Sequence, residues 1–559
     1  MGVFGMNIRG WHLRWLLCAA GLVAASIPLG NSQALSSPSQ ASPSPGGTAF
    51  GHQASVPKQI TAAERATADD PVPSRTYSSP FLLVDPDNPK VIVASAVEMR
   101  SKVCYLMRST DAGVHWTTLP ALPALSSYAS CFTANGGNTE SPMAWGRDHT
   151  LYYGLLGYSE QDGGASRAAN MSVLLARSTD LGNTWSTTVV ENARGKSGAG
   201  VENNEPLASI AVDSHHGAQD IVYVGWRLNI PNVKNAAPKS MVATSTDGGR
   251  TFSAPVDLSQ FTKATLQDGT GATFNVHFNT PHLAVNQRSG ALYSVMEVRT
   301  FCCGIQSPPP QPIYLATSTD RGKTFATKQL TRISPDVGTP IVQWSPAGGS
   351  QGTLLTVFQD RFGQSQGSED IYLQRSTDGG GTWSPEVRLN DDDPANQTYH
   401  FMPNMSVAPN GRVDVAWYDF RNSKSFAQDV YYTYSNDAGV TWAGNIRATD
   451  QPIDLSTGPN ANFDVRQPPG IASADQYAAF GWGDTRLGTP ATQTVDVFSN
   501  VVQFAALPSG ASSTLKYLAA GFAGLAAAGV IILALVIVRR RPKGMETTTP
   551  VGPLPAGAG

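Results

Sequence analysis

The chain has 559 residues, and its 39 lysines and arginines against 42 aspartates and glutamates give a formal net charge of −3 at pH 7. Charged residues make up 14% of the chain, compared with roughly 25% in an average soluble domain. The balanced charge and the lack of a basic stripe argue against nucleic acid as a partner. With 54 glycines and 39 prolines, the chain is rich in turns, which favours a protein of many short strands.

The first residues have the layout of a secretory signal peptide. A basic N-terminal region precedes an apolar run at 15–27, and small residues around Ala34 predict cleavage there, so residues 1–34 are assigned to the signal. Residues 35–57 are rich in serine, proline and glycine and almost uncharged, which predicts a linker. We therefore expect the following residues to be exported.

Four cysteines remain after this cleavage, and an exported protein can oxidise them. Four cysteines allow three pairings. Pairing of Cys104 with Cys131 is the simplest, and it leaves Cys302 and Cys303 as an adjacent pair. The pairing stays open at the level of the sequence.

A short motif, Ser-x-Asp-x-Gly-x-(Thr or His)-(Trp or Phe), occurs six times between residues 109 and 442. Its aspartates are Asp111, Asp180, Asp247, Asp320, Asp378 and Asp437. They are separated by 69, 67, 73, 58 and 59 residues, and such a period with variation of loop length indicates a repeat architecture.

Each repeat contains four short segments with the pattern of β-strands. Four antiparallel strands per repeat are typical of a propeller blade. First strands are expected just after a proline in seven places, at Pro80, Pro142, Pro206, Pro281, Pro340, Pro403 and Pro468. We therefore predict an all-β propeller of four-stranded blades over residues 58–505, with seven blades favoured and six as the alternative. Residues 58–78 are the expected source of the strand that closes the last blade.

The C-terminal part contains a candidate transmembrane segment. Residues 517–538 form an uncharged apolar stretch, and a helix of that length is about 33 Å long, enough to span a bilayer. Three arginines follow at once, at 539–541, which predicts that the tail at 539–559 is cytoplasmic. With residues 506–516 as a juxtamembrane linker, the expected location is the cell membrane, with one span and the bulk outside.

The repeated motif resembles the Asp-box, or BNR, repeat of the sialidase-like propeller superfamily, and the resemblance covers roughly residues 80–505. The resemblance implies the propeller fold, and it implies that the boxes lie on the face opposite the active site. If the activity is shared as well, the chain is a glycoside hydrolase of the exo-α-sialidase type. Sialidases also carry a Phe-Arg-Ile-Pro motif in the first blade. This chain departs from it, because Ser78-Ser79-Pro80-Phe81 stands there without an arginine.

Arginines near the ends of the second strands are the main candidates for ligand binding. They are Arg100, Arg227, Arg299, Arg361, Arg421 and Arg486. One interpretation is a cluster that grips a carboxylate in bidentate fashion, as sialidases grip sialic acid, with Arg361, Arg421 and Arg486 favoured because an aspartate accompanies each. The other is a salt bridge or loop cap that recurs because the blade recurs.

Glu205 and Tyr399 precede predicted first strands, where side chains face the centre, and they are the candidate catalytic pair. Calcium is considered at Asp391, Asp392 and Asp393, and no other metal or cofactor is predicted. The leading hypothesis is a cell-surface, sialidase-like propeller that acts on or recognises glycans. The alternative is a non-catalytic adhesion module whose rim loops bind a glycan or a protein, and a hydrolase of neutral polysaccharide is a third hypothesis.

Overall fold

A computed structural model describes most of the predicted propeller. The described residues are 58–59, 76–98, 103–120, 122, 142–157, 172–192, 203–229, 239–262, 265–267, 273–275, 278–298, 312–331, 338–360, 369–423, 427–458 and 468–504. Within these ranges no helix has the length and apolar character needed to cross a bilayer. The predicted signal peptide, linker and membrane span at 517–538 lie outside the described residues.

Blades 1 to 4 follow one another along the chain, each as an antiparallel sheet whose strands pair in chain order. Blade 1 contains β2 (Tyr77–Val84), β3 (Ile92–Glu98), β4 (Val103–Ser109) and β5 (Thr117–Thr118). Blade 2 contains β6 (Met143–Trp145), β7 (Leu151–Gly157), β8 (Ser172–Ser178) and β9 (Ser186–Glu191). Blade 3 contains β10 (Asn203–Asp213), β11 (Ile221–Asn229), β12 (Lys239–Ser245) and β13 (Val256–Asp257). A small hairpin, β14 (Thr265–Gln267) and β15 (Thr273–Asn275), precedes blade 4, which contains β16 (His282–Val285), β17 (Leu292–Glu297), β18 (Ile313–Ser318) and β19 (Ala326–Gln329).

Blades 5 and 6 repeat the plan, and blade 7 completes it with a strand from the other end of the propeller. Blade 5 contains β20 (Gly338–Ser345), β21 (Thr353–Asp360), β22 (Asp370–Ser376) and β23 (Val387–Arg388). Blade 6 contains β24 (His400–Val407), β25 (Val413–Asp419), β26 (Ala427–Ser435) and β27 (Ile446–Arg447), and β28 (Ile453–Asp454) also pairs with β26. Blade 7 contains β29 (Gly470–Ala474), β30 (Tyr477–Asp484), β31 (Asp496–Gln503) and β1 (Lys58–Gln59).

The ring therefore has seven blades, as favoured from the sequence, and the N-terminal segment closes it. Lys58 and Gln59 pair antiparallel with Ser499 and Phe498 on the outer side of blade 7. A second junction lies nearby, where Tyr77 N–H donates to the carbonyl of Val495 at 2.8 Å. The first contact ties residues before blade 1 to β31, and the second ties the start of β2 to the residue that precedes β31.

Seven clusters of buried apolar side chains hold the described blades together, one at each junction. The cluster between blades 6 and 7, for example, packs Tyr432 against Phe480 with ring centroids 4.7 Å apart. The others join blades 1–2, 2–3, 3–4, 4–5, 5–6 and 7–1. First strands of adjacent blades also contact one another around the ring. Both faces of each sheet are thus covered, which explains the nearly continuous buried pattern of the second strands.

The prolines that marked the first strands do not all precede them, so that part of the prediction was wrong. Pro142 and Pro281 stand just before β6 and β16, but Pro80, Pro206 and Pro340 lie inside β2, β10 and β20. The strand register shifts at each of these positions, as it also does between Phe401 and Asn404 around Pro403. A bulge leaves one residue unpaired, so proline costs no ladder hydrogen bond there.

All six Asp-boxes form the same turn between the third and fourth strands of blades 1 to 6. The serine hydroxyl donates to one aspartate oxygen at 2.7–2.8 Å, and the glycine N–H donates to that hydroxyl at 2.8–2.9 Å. In blade 5, Gly380 has a φ of +93°, and a Cβ there would lie 2.5 Å from Leu315 of blade 4. The box is a structural element, as the sequence predicted.

Hydrogen bonds also join the first hairpin turns of neighbouring blades on the box side of the ring. The buried Arg412 of blade 6 donates to the carbonyls of Ala474, Asp475 and Tyr477 in blade 7 at 2.8–3.0 Å. Arg288 of blade 4 donates in the same way to carbonyls of blade 5. Arg412 thereby pairs carbonyls that burial would otherwise leave unpaired, whereas the contacts of Arg288 are exposed.

Cys104 is disulfide-bonded, and its partner lies outside the described residues. The pairing with Cys131 therefore stays a prediction, as does the state of Cys302 and Cys303.

We expect Asp378→Ala to lower the free energy of unfolding by about 1–3 kcal/mol, because the carboxylate accepts three hydrogen bonds within one turn. These come from Ser376 Oγ and from the N–H and hydroxyl of Thr382, and they lower the pKa of Asp378 to about 2. Urea unfolding of the variant measures the loss. Thr377→Ala is the matched control, since Thr377 occupies the exposed second position of the same box; equal stabilities of the two variants would contradict the role of the carboxylate.

Candidate functional site

The topology separates two edges of the ring. The boxes and the first hairpin turns lie at one edge, here called the lower edge. The second-to-third loops and the connections between blades lie at the other, here called the upper edge, because antiparallel strands alternate in direction. The candidate residues Glu205, Tyr399, Arg421 and Arg486 all belong to the upper edge.

Blades 6 and 7 carry the same Trp-x-Asp-x-Arg arrangement at the end of the second strand. In blade 6, Trp417 Nε1 donates to Asp419 Oδ2 at 2.9 Å, and the backbone N–H of Arg421 donates to Asp419 Oδ1 at 2.8 Å. The Arg421 guanidinium turns back onto Asp419 and lies 4.1 Å above the ring of Tyr431. The carboxylate thereby fixes both the tryptophan and the arginine.

Blade 7 reproduces these contacts with different loop residues. Trp482 Nε1 and the Arg486 N–H both donate to Asp484 at 2.9 Å, and the Arg486 guanidinium lies 4.1 Å above the ring of Phe498. An arrangement that recurs in this detail supports the second interpretation from the sequence, in which the arginine stabilises its own blade.

Each arginine also contacts a second carboxylate. Arg421 Nη1 donates to Asp391 at 2.7 Å, and Arg486 Nη2 donates to Asp450 at 2.8 Å. The arginine side chains are only 14% and 13% exposed. Burial alone would lower the pKa of Arg421, but the adjoining carboxylates of Asp419 and Asp391 raise it, so the guanidinium is held as a cation. Neither arginine presents an unoccupied fork to a ligand carboxylate.

A fully buried histidine links blades 5 and 6 beside this arrangement. His400 opens β24, and its Nδ1 donates to the Glu369 carbonyl of blade 5 at 2.8 Å. Its ring nitrogens lie 3.4 Å from Asp370, 3.2 Å from Asp392 and 3.4 Å from Asp419. Carboxylates of two blades thus surround one imidazole.

The charges around His400 are nearly balanced. Arg388 reaches both Asp370 and Asp392 at 2.9 Å, and Asn390 donates to the same two carboxylates at 2.7 and 2.8 Å. Burial disfavours ionisation of these acids, yet His400, Asn390 and the arginines hold the pKa of Asp370 and Asp392 well below the usual range. Burial would also lower the pKa of His400, but its carboxylates raise it to about 9.

Within the described part of the chain, two groups of residues have spacings compatible with a metal ion. One is Asp370, Asp392 and His400, where the arrangement already pairs the carboxylates with a protonated histidine and Arg388, so it fits an ion-pair network better than a cation. The other is Asp85, Asp87 and His149 on the lower edge, where His149 Nδ1 lies 2.6 Å from Asp85 and links blades 1 and 2.

The predicted calcium ligands do not converge. Asp391 contacts Arg421 and Asn445, Asp392 contacts Arg388, and Asp393 accepts a hydrogen bond from Ala395 N–H at the start of a short 3₁₀ turn. These separate contacts are ion pairs and a turn cap.

An aromatic cluster of Tyr399, Phe401 and Phe420 lies next to His400 on the upper edge. The Tyr399 ring centroid is 5.0 Å from that of Phe401 and 5.9 Å from that of Phe420. Phe420 N–H donates to the Tyr399 carbonyl at 3.1 Å, so the second-strand loop holds the residue that precedes β24. Tyr399 and Phe420 are partly exposed, whereas Phe401 is buried.

Among the described members of the arginine group, Arg227 does not occupy the position of Arg421. Val222 of β11 and Val413 of β25 both pair with the box serine, which aligns Leu228, and not Arg227, with Asp419. Arg227 instead donates to Asn279 at 2.9 Å, and Asn279 contacts Glu297 of blade 4. Arg227 therefore precedes the position of Arg421 by three residues, and an odd offset along a strand turns the side chain to the other face, so the prediction of one repeated arginine does not hold for Arg227.

Three of the predicted ligand-binding or catalytic residues are not tested by these contacts. Arg299 and Arg361 lie outside the described residues. The backbone of Glu205 lies in β10 opposite Arg227, at a bulge, but its side chain is not described.

Pairs of buried aspartates on the upper edge were not anticipated. The last residue of the second strand pairs with an aspartate at or near the start of the third strand in three consecutive blades, as Asp360–Asp370, Asp419–Asp429 and Asp484–Asp496. A signal for them was present, since the members of each pair are 10 or 12 residues apart and flank a loop. Nothing in the sequence indicated which acids would surround His400.

We expect the network of His400 to weaken at alkaline pH. The pKa of His400 is about 9 in the folded protein and about 6.5 in an unfolded chain, so its stabilisation is complete below about pH 6.5 and is lost as the pH rises through about 9. The melting temperature of the full chain should therefore fall by several degrees from pH 7 to pH 10. His400→Gln should flatten this dependence, while His115→Gln, at an exposed box position, should not; parallel curves for the wild type and His400→Gln would refute the assignment.

We expect Arg421→Leu to cost about 3 kcal/mol of stability, because it leaves Asp419 buried without its cation. Urea unfolding gives the change, with Arg375→Leu of the blade 5 box as a control on the lower edge. An unchanged urea midpoint would mean that the guanidinium contributes nothing to the blade and is available to a ligand.

Comparison with known proteins identifies the repeat. The family model described as BNR/Asp-box repeat matches residues 374–385. No curated protein sequence matches the chain. Among solved structures, the GH93 α-L-arabinofuranosidase of Fusarium graminearum is 12% identical, with 81% of this chain and 98% of that chain covered and a TM-score of 0.43. A sialidase of Trypanosoma rangeli is 10% identical, with 76% and 59% covered and a TM-score of 0.42. The chain is a seven-bladed propeller that carries BNR/Asp-box repeats.

Proposed function

We propose that this propeller recognises a glycan on its upper edge, at the aromatic cluster of Tyr399, Phe401 and Phe420. The observation that carries the proposal is the position of this cluster, with two partly exposed rings on neighbouring loops that the backbone bond between Phe420 and Tyr399 joins. Sugar rings present C–H faces that pack on aromatic side chains, and rigid aromatic residues give contact area at a small entropic cost.

The surroundings of the cluster supply rigidity. His400 follows Tyr399 directly and is fully buried among acids of two blades, and Arg421 follows Phe420 and is bonded to Asp419 and Asp391. Residues held by such contacts keep a binding surface preorganised, which reduces the free energy spent on ordering it.

Arg421 and Arg486 do not favour the form of the hypothesis in which they grip an acidic sugar. Their guanidinium groups already contact two carboxylates each. A ligand carboxylate would have to displace a buried internal partner, and the displaced aspartate would lose its hydrogen bonds.

Hydrolysis is the second candidate function, and one observation favours it. The backbone of Glu205 lies opposite Arg227, whose contact with Asn279 leads to Glu297 in the next blade. Two glutamates are thus brought to the upper edge of blades 3 and 4, and glycoside hydrolysis requires a pair of acidic groups. In this version the chain is an exo-acting glycosidase, and Arg299 and Arg361 are the remaining candidates for an acidic substrate.

Attachment to the cell membrane through residues 517–538 is part of the proposal, and so is an adhesion role in which a protein partner contacts the rim loops. Both the membrane attachment and the adhesion role are inferred from the sequence alone.

We expect Tyr399→Leu to weaken binding of any glycan that the full chain retains on a glycan array by about tenfold or more, because leucine keeps apolar volume but loses the ring. Calorimetry with the retained glycan gives the affinity. Trp344→Leu is the matched control, since Trp344 is a partly exposed aromatic residue at the lower end of a first strand. Equal losses in both variants, or no glycan retained by the folded protein, would refute recognition at the cluster.

The same protein separates binding from hydrolysis. Turnover of a fluorogenic sialoside or arabinofuranoside that is abolished in both Glu205→Gln and Glu297→Gln would establish the glycosidase version. Retention of a glycan without turnover would leave recognition as the function.

A further inference from the structure

The upper edge of blades 5 to 7 has a strong excess of acidic residues. Twelve acids lie there among the described residues, namely Asp360, Glu369, Asp370, Asp391, Asp392, Asp393, Asp419, Asp429, Asp450, Asp454, Asp484 and Asp496. The described cations of the same edge are Arg388, His400, Arg421, Arg447 and Arg486. The whole chain has a formal net charge of only −3, so negative charge is concentrated on this side of the ring.

The cations are used internally. Arg388 binds Asp370, Arg447 binds Asp429 at 2.7 Å, and His400 is enclosed by carboxylates. None of these cationic side chains is more than about a third exposed, the largest value being 33% for Arg447. Their positive charges are therefore neutralised by buried aspartates and are largely shielded from solvent.

Among the described residues of this edge, the exposed charged side chains are acidic. Asp391 is 48% exposed, and Asp393, Asp450 and Asp454 are also exposed. Asp393 uses one oxygen to cap the 3₁₀ turn at Ala395, and Asp454 does the same at Ser456. A surface with buried cations and exposed acids has a negative potential, which attracts cations and repels anions before contact.

This negative surface adjoins the aromatic cluster. Asp391 and Asp393 belong to the same blade-to-blade connection as Tyr399, and Asp391 bonds to Arg421, the residue after Phe420. Aromatic rings beside carboxylates are the chemistry that binds ammonium groups, because the ring face and the acid both attract the cation.

We infer that the ligand of the upper edge is an amine-bearing, cationic glycan, such as one with unacetylated glucosamine units. This inference rests on the proposed recognition of a glycan at the aromatic cluster, and it names the chemical class of that glycan. It reverses the expectation of an acidic sugar, because Arg421 and Arg486, two of the arginines that suggested one, are already paired with carboxylates.

The test compares two probes that differ in charge and share a backbone. A glucosamine hexamer and an N-acetylglucosamine hexamer are titrated into the full chain by calorimetry near pH 6, at about 50 mM and about 500 mM salt. We expect the glucosamine hexamer to bind at least about tenfold more tightly at low salt and to lose most of that advantage at high salt, where surface charges are screened.

A variant checks the source of the preference. Asp393→Asn combined with Asp454→Asn removes two exposed charges while asparagine keeps the capacity to cap a turn. We expect it to weaken the glucosamine hexamer several-fold and to leave the acetylated hexamer unchanged. Asp148→Asn, an exposed position on the lower edge, is the control and should change neither affinity.

The outcomes distinguish this inference from the proposed function. Equal affinity of the two hexamers at low salt, or tighter binding of sialyllactose than of either, would overturn the cationic ligand and leave glycan recognition standing. If no glycan binds to folded protein, recognition at the cluster fails and this inference fails with it.

Discussion

The structure depends on burial of apolar side chains between neighbouring blades. A single four-stranded sheet has two faces, and in this ring each face of each blade packs against the next one, with Tyr432 against Phe480 as one such contact. Because the seven clusters lie between blades and none lies within one sheet, a blade has no complete core of its own. The ring must close for every apolar face to be covered, and the boxes, turn caps and upper-edge ion pairs then fix blades that this packing has brought together.

Aspartate has a different structural role on each edge of the ring. On the lower edge, an aspartate in each box accepts hydrogen bonds from its own turn, so a single exposed carboxylate fixes about seven residues of backbone. On the upper edge, Asp419 and Asp484 lie buried and bind an indole, an arginine and a backbone N–H. The lower edge is uniform around six blades, whereas the upper edge differs between blades 5–7 and blades 3–4, and that difference is where specificity for a ligand can arise.

The sequence contains most of the fold and little of the site. Box spacing and alternating strands predict seven blades and their closure by residues 58–78, since both are properties of local pattern and of unpaired edges. Positions within strands were predicted less well: Pro80 lies in a bulge inside β2, and Arg227 is out of register with Arg421. Register depends on which residues face each other across a ladder, and spacing along the chain does not contain that information. The surroundings of His400 were missed for a related reason, because its acids come from two blades.

Closure by β1 has a consequence for the order of folding. Within blades 1 to 6 the four strands of each blade pair with neighbours in sequence, so those sheets form from contacts of short range. The pairing of Lys58 with Ser499 instead joins residues more than four hundred positions apart. Loop-closure entropy and contact order both place such a contact late. Because synthesis starts at the N-terminus, β1 is made first and its partner β31 is made last. The segment that contains β1 therefore stays unpaired until the seventh blade has been synthesised.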